Sequence, residues 1–132
     1  MAQSRRQEDA RRMMAMAEAA RLREGEAAQV IIDRFVAEAT AQGIAPVALQ
    51  ATRLDGRRVR TDKVGWYVNK ARSVAIGTDG AWYVLTVPAS RWGRFTGAKL
   101  QPSLPELVVG RGARDGESGD LADFLDRVLQ AG

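Results

Sequence analysis

The first third of the chain has the sequence of one long helix, and the rest of the chain is too small to cover a helix of that length. Residues 4–42 are mostly Ala, Arg, Glu, Gln and Met, with no proline and a single glycine, Gly25. These residues favour helix, while Ser4 and Gly43 are suited to begin and end it. Such a helix spans about 57 Å at its usual rise, but the remaining residues should form a body about half as wide. Either the helix breaks near Arg23-Glu24-Gly25, or its first half extends beyond the body.

The apolar side chains of this helix change in kind along its length. Large residues are concentrated between Ile31 and Ala39, whereas the first half offers mainly Ala and Met. Small Ala and flexible Met suit close contact between helices. We therefore predict that the helix binds a protein partner or a second copy through Met13, Ala17, Ala20 and Ala28. The alternative is a solvated first half without a partner.

After Gly43 the apolar pattern changes to the alternation that is typical of strands. We predict strands at about 47–51, 57–62, 64–68, 73–77 and 81–87. Asp55-Gly56 and Asp79-Gly80 are hairpin turn signals. A two-residue turn at Asp79-Gly80 would place Ile76 opposite Tyr83. Both faces of that hairpin are apolar, which predicts a cover on each side.

The C-terminal segment carries a clean apolar stripe at helical spacing. It predicts a helix from about Ser118, as N-cap, to Ala131. The expected fold class is therefore α+β. It comprises a long N-terminal helix, an antiparallel sheet of four to five strands with Asp-Gly hairpins, and a C-terminal amphipathic helix. We expect a helical segment at 1–43 and a sheet with its helix at 44–132, within a single globular domain.

Positive charge is concentrated in the middle of the chain, where residues 44–100 hold ten Lys or Arg against three acids. A basic surface attracts polyanions, and the loop 90–99 adds aromatic rings that can stack on bases. In the simplest register Arg53, Arg58 and Arg60 share one face. The alternative is a solvated basic face. The candidate nucleic-acid-binding residues are Arg53, Arg57, Arg58, Arg60, Lys63, Arg91, Trp92, Arg94 and Lys99.

The composition excludes several kinds of chemistry. The chain has no Cys and no His, so it can build neither a thiolate or imidazole catalytic site nor a standard zinc site. No spacing of its acids indicates a calcium site, and the glycine-rich segment 110–116 lacks the spacing of a phosphate-binding loop. We therefore expect no catalytic residue, no metal and no cofactor.

The chain also lacks the sequence signals of a membrane protein. No apolar run approaches the roughly 20 residues of a membrane helix, and the charged N-terminus is unlike a secretory signal. We expect a cytoplasmic protein.

These observations lead to three functional hypotheses. The leading one is a non-catalytic interaction module that self-associates or docks a protein partner through its N-terminal helix. The second is a nucleic-acid-binding protein that uses the basic strand and loop surface of residues 53–99. The third is an enzyme or small-ligand carrier, which a deep pocket with converging polar side chains would favour.

Overall fold

The computed structural model describes residues 2–88, 97–111 and 117–132. It confirms the α+β class, with a long first helix, a five-stranded sheet and a C-terminal helix. A small two-stranded sheet is added to them. The helices are α1 (Ala2–Ala41) and α2 (Leu121–Ala131), and the strands are β1 (Val47–Arg53), β2 (Arg58–Tyr67), β3 (Val74–Gly77), β4 (Trp82–Val84), β5 (Thr86–Val87), β6 (Val108–Val109) and β7 (Gly119–Asp120).

The main sheet curls round until its two ends meet. Its strand order is β4-β3-β2-β1-β5, yet β4 and β5 are separated in the chain only by Leu85. The N–H of Leu85 donates to the Ser73 carbonyl at 2.8 Å, and its carbonyl accepts from the N–H of Thr52 at 2.7 Å. Because β5 is a bent continuation of β4, it pairs with β1 in parallel. The sheet is therefore mixed, not wholly antiparallel as predicted.

Both predicted Asp-Gly hairpins form. β1 pairs antiparallel with β2, and β3 pairs antiparallel with β4. Gly56 and Gly80 both adopt a positive φ, of 88° and 79°, a conformation that glycine takes at little cost.

The second hairpin differs by one residue from the predicted register. The N–H of Gly77 donates to the Ala81 carbonyl at 3.0 Å, so the loop has three residues, not two. Ala75 therefore faces Tyr83, where the sequence predicted Ile76. A slip of one residue moves every side chain of a strand to the other face. Here it places Ile76 with Trp82 in one core and Ala75 with Tyr83 in the other.

One core lies between the sheet and the helices, and we call it the helix-side core. The ring of Phe35 from α1 meets the ring of Trp66 edge-on, with centroids 5.5 Å apart. The indole N–H of Trp66 donates to the Ile44 carbonyl at 3.0 Å. The buried residues of this core are Ala28, Ile32, Phe35, Ala39, Trp66, Val68, Ile76, Trp82, Val109, Leu121, Phe124 and Leu125.

The second core, which we call the inner core, lies on the opposite face of the sheet. It contains Leu49, Ala51, Ala75, Tyr83, Leu85 and Leu100. Leu100 comes from a segment that pairs beside β2, where the N–H of Ala98 donates to the Arg60 carbonyl at 2.7 Å. The hairpin is thus buried on both faces.

Helix α2 starts later than the sequence predicts. Gly119 and Asp120 pair with β6 as strand β7, so the N-cap is Asp120 and not Ser118. The helix buries Leu121, Phe124 and Leu125 and packs against α1 in the helix-side core.

Candidate interaction surface on the first helix

Helix α1 is continuous, and its first half extends beyond the rest of the described chain. The helix runs unbroken through Gly25, and its buried residues begin there. Residues 2–23 are exposed, apart from the partly covered Ala19. We call residues 2–23 the arm and the described residues from Glu24 onward the body. Of the two arrangements that the sequence left open, the structure shows the extended one.

Gly25 is the first residue of α1 that the body buries. A Cβ atom at this position would approach Leu104 Cδ1 to 2.5 Å. The missing side chain therefore lets the segment around Leu104 cross the helix closely. Beside it, Arg111 Nη2 lies 3.6 Å from Glu24 Oε1. The single glycine of the helix serves close packing and does not break the helix.

The arm remains helical through its own residue preferences. Residues 2–23 contain no glycine, proline or β-branched residue, and those are the residues that weaken a helix most. The folded second half of α1 also supplies the first helical turns, whose formation is the costly step for an isolated helix. Local propensity therefore holds the arm straight in solvent.

Three of the four predicted contact residues lie on the arm, and the fourth does not belong to its surface. Met13 is 71% exposed, and Ala17 and Ala20 are exposed as well. Ala28, in contrast, is 0% exposed and lies in the helix-side core. Its prediction as a contact residue is wrong, because the body already covers this part of the helix. Met14 and Met16 add exposed side chains, at 69% and 65%.

A cleft between α1 and α2 opens on the body. It has a volume of about 220 Å³, and its floor is apolar, with Ile31 and Phe35 from α1 facing Leu125 and Leu129 from α2. Charged residues form its edges: Arg34, Glu38 and Asp126. Sequence reasoning missed this cleft because it joins two helices that are about 90 residues apart in the chain.

The two parts of α1 have opposite net charges. Residues 2–23 hold six arginines against three acids, whereas residues 24–43 hold four acids against one arginine. The arm is therefore a basic helix that leads into an acidic one. This polarity is hidden in the composition, because the charges of residues 1–43 cancel.

The structure separates the predicted basic residues into two groups. Arg58 and Arg60 alternate outward on β2, facing Thr52 and Gln50 of β1, and both are exposed. Arg57 lies exposed beside them at the turn. Arg53 does not share their face, because it follows the buried Leu49 and Ala51 in the alternation of β1. The predicted common face is therefore wrong for Arg53.

The remaining basic candidates are scattered. Arg53 Nη2 lies 3.0 Å from Asp55 Oδ2, and Lys63 Nζ lies 3.6 Å from Asp62 Oδ2, so acids partly offset both charges. Lys99 is exposed on the segment beside β2. Arg91, Trp92 and Arg94 lie outside the described residues, as does most of the 110–116 segment.

Two residues with shifted pKa values, Asp79 and Tyr83, lie at the turn of the second hairpin. Burial and the nearby carboxylate of Asp79 both raise the pKa of Tyr83, which reaches about 12. The Tyr83 hydroxyl donates a hydrogen bond to this carboxylate at 2.7 Å. Burial opposes ionisation of Asp79, but hydrogen bonds from Tyr83 and from the Ala81 N–H outweigh it and lower the pKa of Asp79. This arrangement stabilises the turn.

Asp62 has a comparable role in holding the segment that pairs beside β2. Its Oδ1 accepts the N–H of Leu100 at 3.0 Å, and this bond chiefly lowers the pKa of Asp62. Among residues 2–88, 97–111 and 117–132, no three acids converge on a possible metal site. In the same ranges, no helix is long and apolar enough to cross a lipid bilayer.

The chain was compared with known families, curated proteins and solved structures, and none of them matches it.

Proposed function

We propose that this protein is a non-catalytic interaction module that binds another protein chain through the arm of α1. The observation that carries the proposal is the exposure of the arm, which presents three methionines and a row of alanines to solvent. The partner is either a second copy or a different protein.

The composition of the arm supports contact with protein. Ala side chains let a second helix approach closely, and Met side chains adapt to an irregular surface. The arginines of the arm add charge that steers an acidic partner toward it. The arm contributes nothing to the two described cores, so its role is not to stabilise the body.

Two alanine variants of the full chain test this proposal. Ala17→Glu places a charge on the side that carries Met13 and Ala20. Ala15→Glu makes the same change at an exposed alanine on another side of the helix, and it serves as the matched control. We expect Ala17→Glu to abolish self-association in light scattering, or binding of a captured partner, while Ala15→Glu retains it.

The proposal is wrong if the natural chain is monomeric at every concentration and binds no protein that Ala17→Glu fails to bind. Circular dichroism of both variants shows whether the helix is intact. Glutamate is a good helix former, so we expect the two variants to have equal helicity.

A second candidate is binding of nucleic acid by the basic surface of β2. Its supporting observation is that Arg57, Arg58, Arg60 and Lys99 are all exposed and make no ion pair with the described part of the chain. Phosphate contacts release counterions, so the affinity for DNA or RNA should fall steeply with salt.

The test of this candidate is retention of duplex DNA and of RNA at low salt. Arg58→Gln with Arg60→Gln should weaken binding and reduce the salt dependence, whereas Arg11→Gln with Arg12→Gln on the arm should not. Absence of binding at low salt, or a flat salt response, would rule the candidate out.

A further inference from the structure

One side of α1 carries a stripe that continues from the arm onto the body. Its positions follow one another at steps of three or four residues, with a last step of seven from Ile31 to Glu38, and these spacings keep them on one side of a helix. Ala27 is exposed and Ile31 is only half-buried, so the stripe stays accessible where the body covers a neighbouring side. The stripe consists of Arg6, Ala10, Met13, Ala17, Ala20, Glu24, Ala27, Ile31 and Glu38.

On the body this stripe borders the cleft between α1 and α2. Ile31 lines the cleft and Glu38 stands at its edge. A volume of about 220 Å³ holds several water molecules, since each occupies about 30 Å³ in the liquid. An apolar side chain that entered the cleft would release this water from apolar surface, which is favourable.

The charges of α1 select the direction in which two copies can pair. A parallel pair would place two basic arms side by side and two acidic halves side by side, and like charges repel. An antiparallel pair places the arm, with six arginines and three acids, beside residues 24–43, with four acids and one arginine. Complementary potentials of this kind fix register and exclude wrong pairings.

We propose that the arm docks antiparallel along α1 of a second copy of this chain, with Met13 in the cleft beside the partner's Ile31. This inference rests on the proposed function and names its partner. Ala17 then lies opposite the partner's Ala27, and Arg6 opposite the partner's Glu38. The pair has a two-fold axis, so each copy fills the cleft of the other, as is usual for homodimers.

Single cysteines test this geometry well, because the natural chain has none. Ala17→Cys and Ala27→Cys are prepared as separate full-length proteins and oxidised alone and as a mixture. In the antiparallel pair the two copies of residue 17 lie about 15 Å apart along the helix axis, and a disulfide needs Cα atoms within about 7 Å. We therefore expect a linked dimer in the mixture and none in either protein alone.

A control variant separates register from random collision. Ala15→Cys introduces an exposed cysteine on another side of the arm and should give no linked dimer with Ala27→Cys. Linked dimers from Ala17→Cys alone would show parallel pairing and overturn the inference. Absence of a link in the mixture of Ala17→Cys and Ala27→Cys would overturn it as well.

A charge exchange provides a second readout without cysteine. Arg6→Glu and Glu38→Arg each place like charges together, so each should raise the dimer dissociation constant measured by light scattering. Both changes in one chain restore opposite charges and should recover the affinity. A combined variant at least as weak as the weaker single variant would contradict the proposed register.

The failure of this inference is distinguishable from failure of the proposed function. A natural chain that stays monomeric in light scattering rules out pairing of two copies. The proposed function is wrong only if, in addition, no captured protein depends on Ala17.

Discussion

The arm and the body of this protein are held in shape by different forces. The arm has strong helix formers throughout and buries almost nothing, so each of its turns is stable through local propensity. The second half of α1 includes Val30, Ile31, Ile32 and Val36, which are weaker helix formers, and it is held by burial against the sheet and α2. One helix therefore joins a segment that depends on local preferences to a segment that depends on packing.

The largest difference between the two regions should appear when a side chain is truncated. Ile32 is fully buried in the helix-side core, so Ile32→Ala should lower the free energy of unfolding by about 2–5 kcal/mol. Met14→Ala on the arm should change it by less than about 0.5 kcal/mol. Urea denaturation of both variants measures this contrast, and equal losses would show that the arm is packed.

Ionisation of Tyr83 at alkaline pH should lower the free energy of unfolding of the body. The pKa of Tyr83 is raised from 10.0 in the unfolded chain to about 12 in the fold. Stability from this group is complete below pH 10 and is lost as the pH rises toward 12. Over that range the free energy of unfolding should fall by roughly 1 kcal/mol per pH unit.

Tyr83→Phe is the control for this prediction. It has no phenol to ionise, so the decline between pH 10 and 12 should disappear, although the variant loses the bond to Asp79. An unchanged decline in Tyr83→Phe would assign the effect to another group. The helicity of the arm should not follow the Tyr83 titration.

The junction of arm and body can be tested at Gly25. Alanine is favoured over glycine in a helix by about 1 kcal/mol, but its Cβ would meet Leu104. Gly25→Ala should therefore be more stabilising in a Leu104→Ala background than in the natural chain, by up to about 1 kcal/mol. A double-mutant cycle in urea measures this coupling. A coupling of zero would mean that Leu104 does not restrict this position.

The smallest effect should come from a glycine in the arm. Ala10→Gly should reduce the helical circular dichroism signal of the arm, because propensity is the main force that holds it. The free energy of unfolding of the body should change by less than about 0.5 kcal/mol, since Ala10 touches neither core. A larger loss would show that arm and body unfold as one cooperative unit.

Local signals in the sequence were sufficient for the two helices and for both hairpins. They divided β2 into two strands, at 57–62 and 64–68, and joined β4 and β5 into one, at 81–87. The period of the apolar residues separated helix from strand, and Asp-Gly located the turns. The register of the second hairpin was not predictable from the Asp79-Gly80 pair alone, because a two-residue and a three-residue loop share that signal. Hydrogen bonds from Ala81 and Tyr83 to Asp79 accompany the longer loop.

Features that depend on distant parts of the chain were missed. The parallel pairing of β5 with β1 requires the bend at Leu85, and no local sequence pattern predicts that bend. Ala28 belongs to the same helical stripe as Ala17, and only the position of the body shows that it is buried. The cleft between α1 and α2 likewise exists only after the two helices have packed.

Amide hydrogen exchange of the full-length chain at increasing protein concentration tests the central claim most directly. Amides in the middle of the arm, from Ala10 to Ala20, should exchange faster in dilute solution than those of the buried half of α1, because only local helix propensity opposes their opening. We predict that they become protected as concentration rises, together with amides around Ile31 that line the cleft. Exchange that is equally fast at all concentrations would contradict pairing of two copies through the arm.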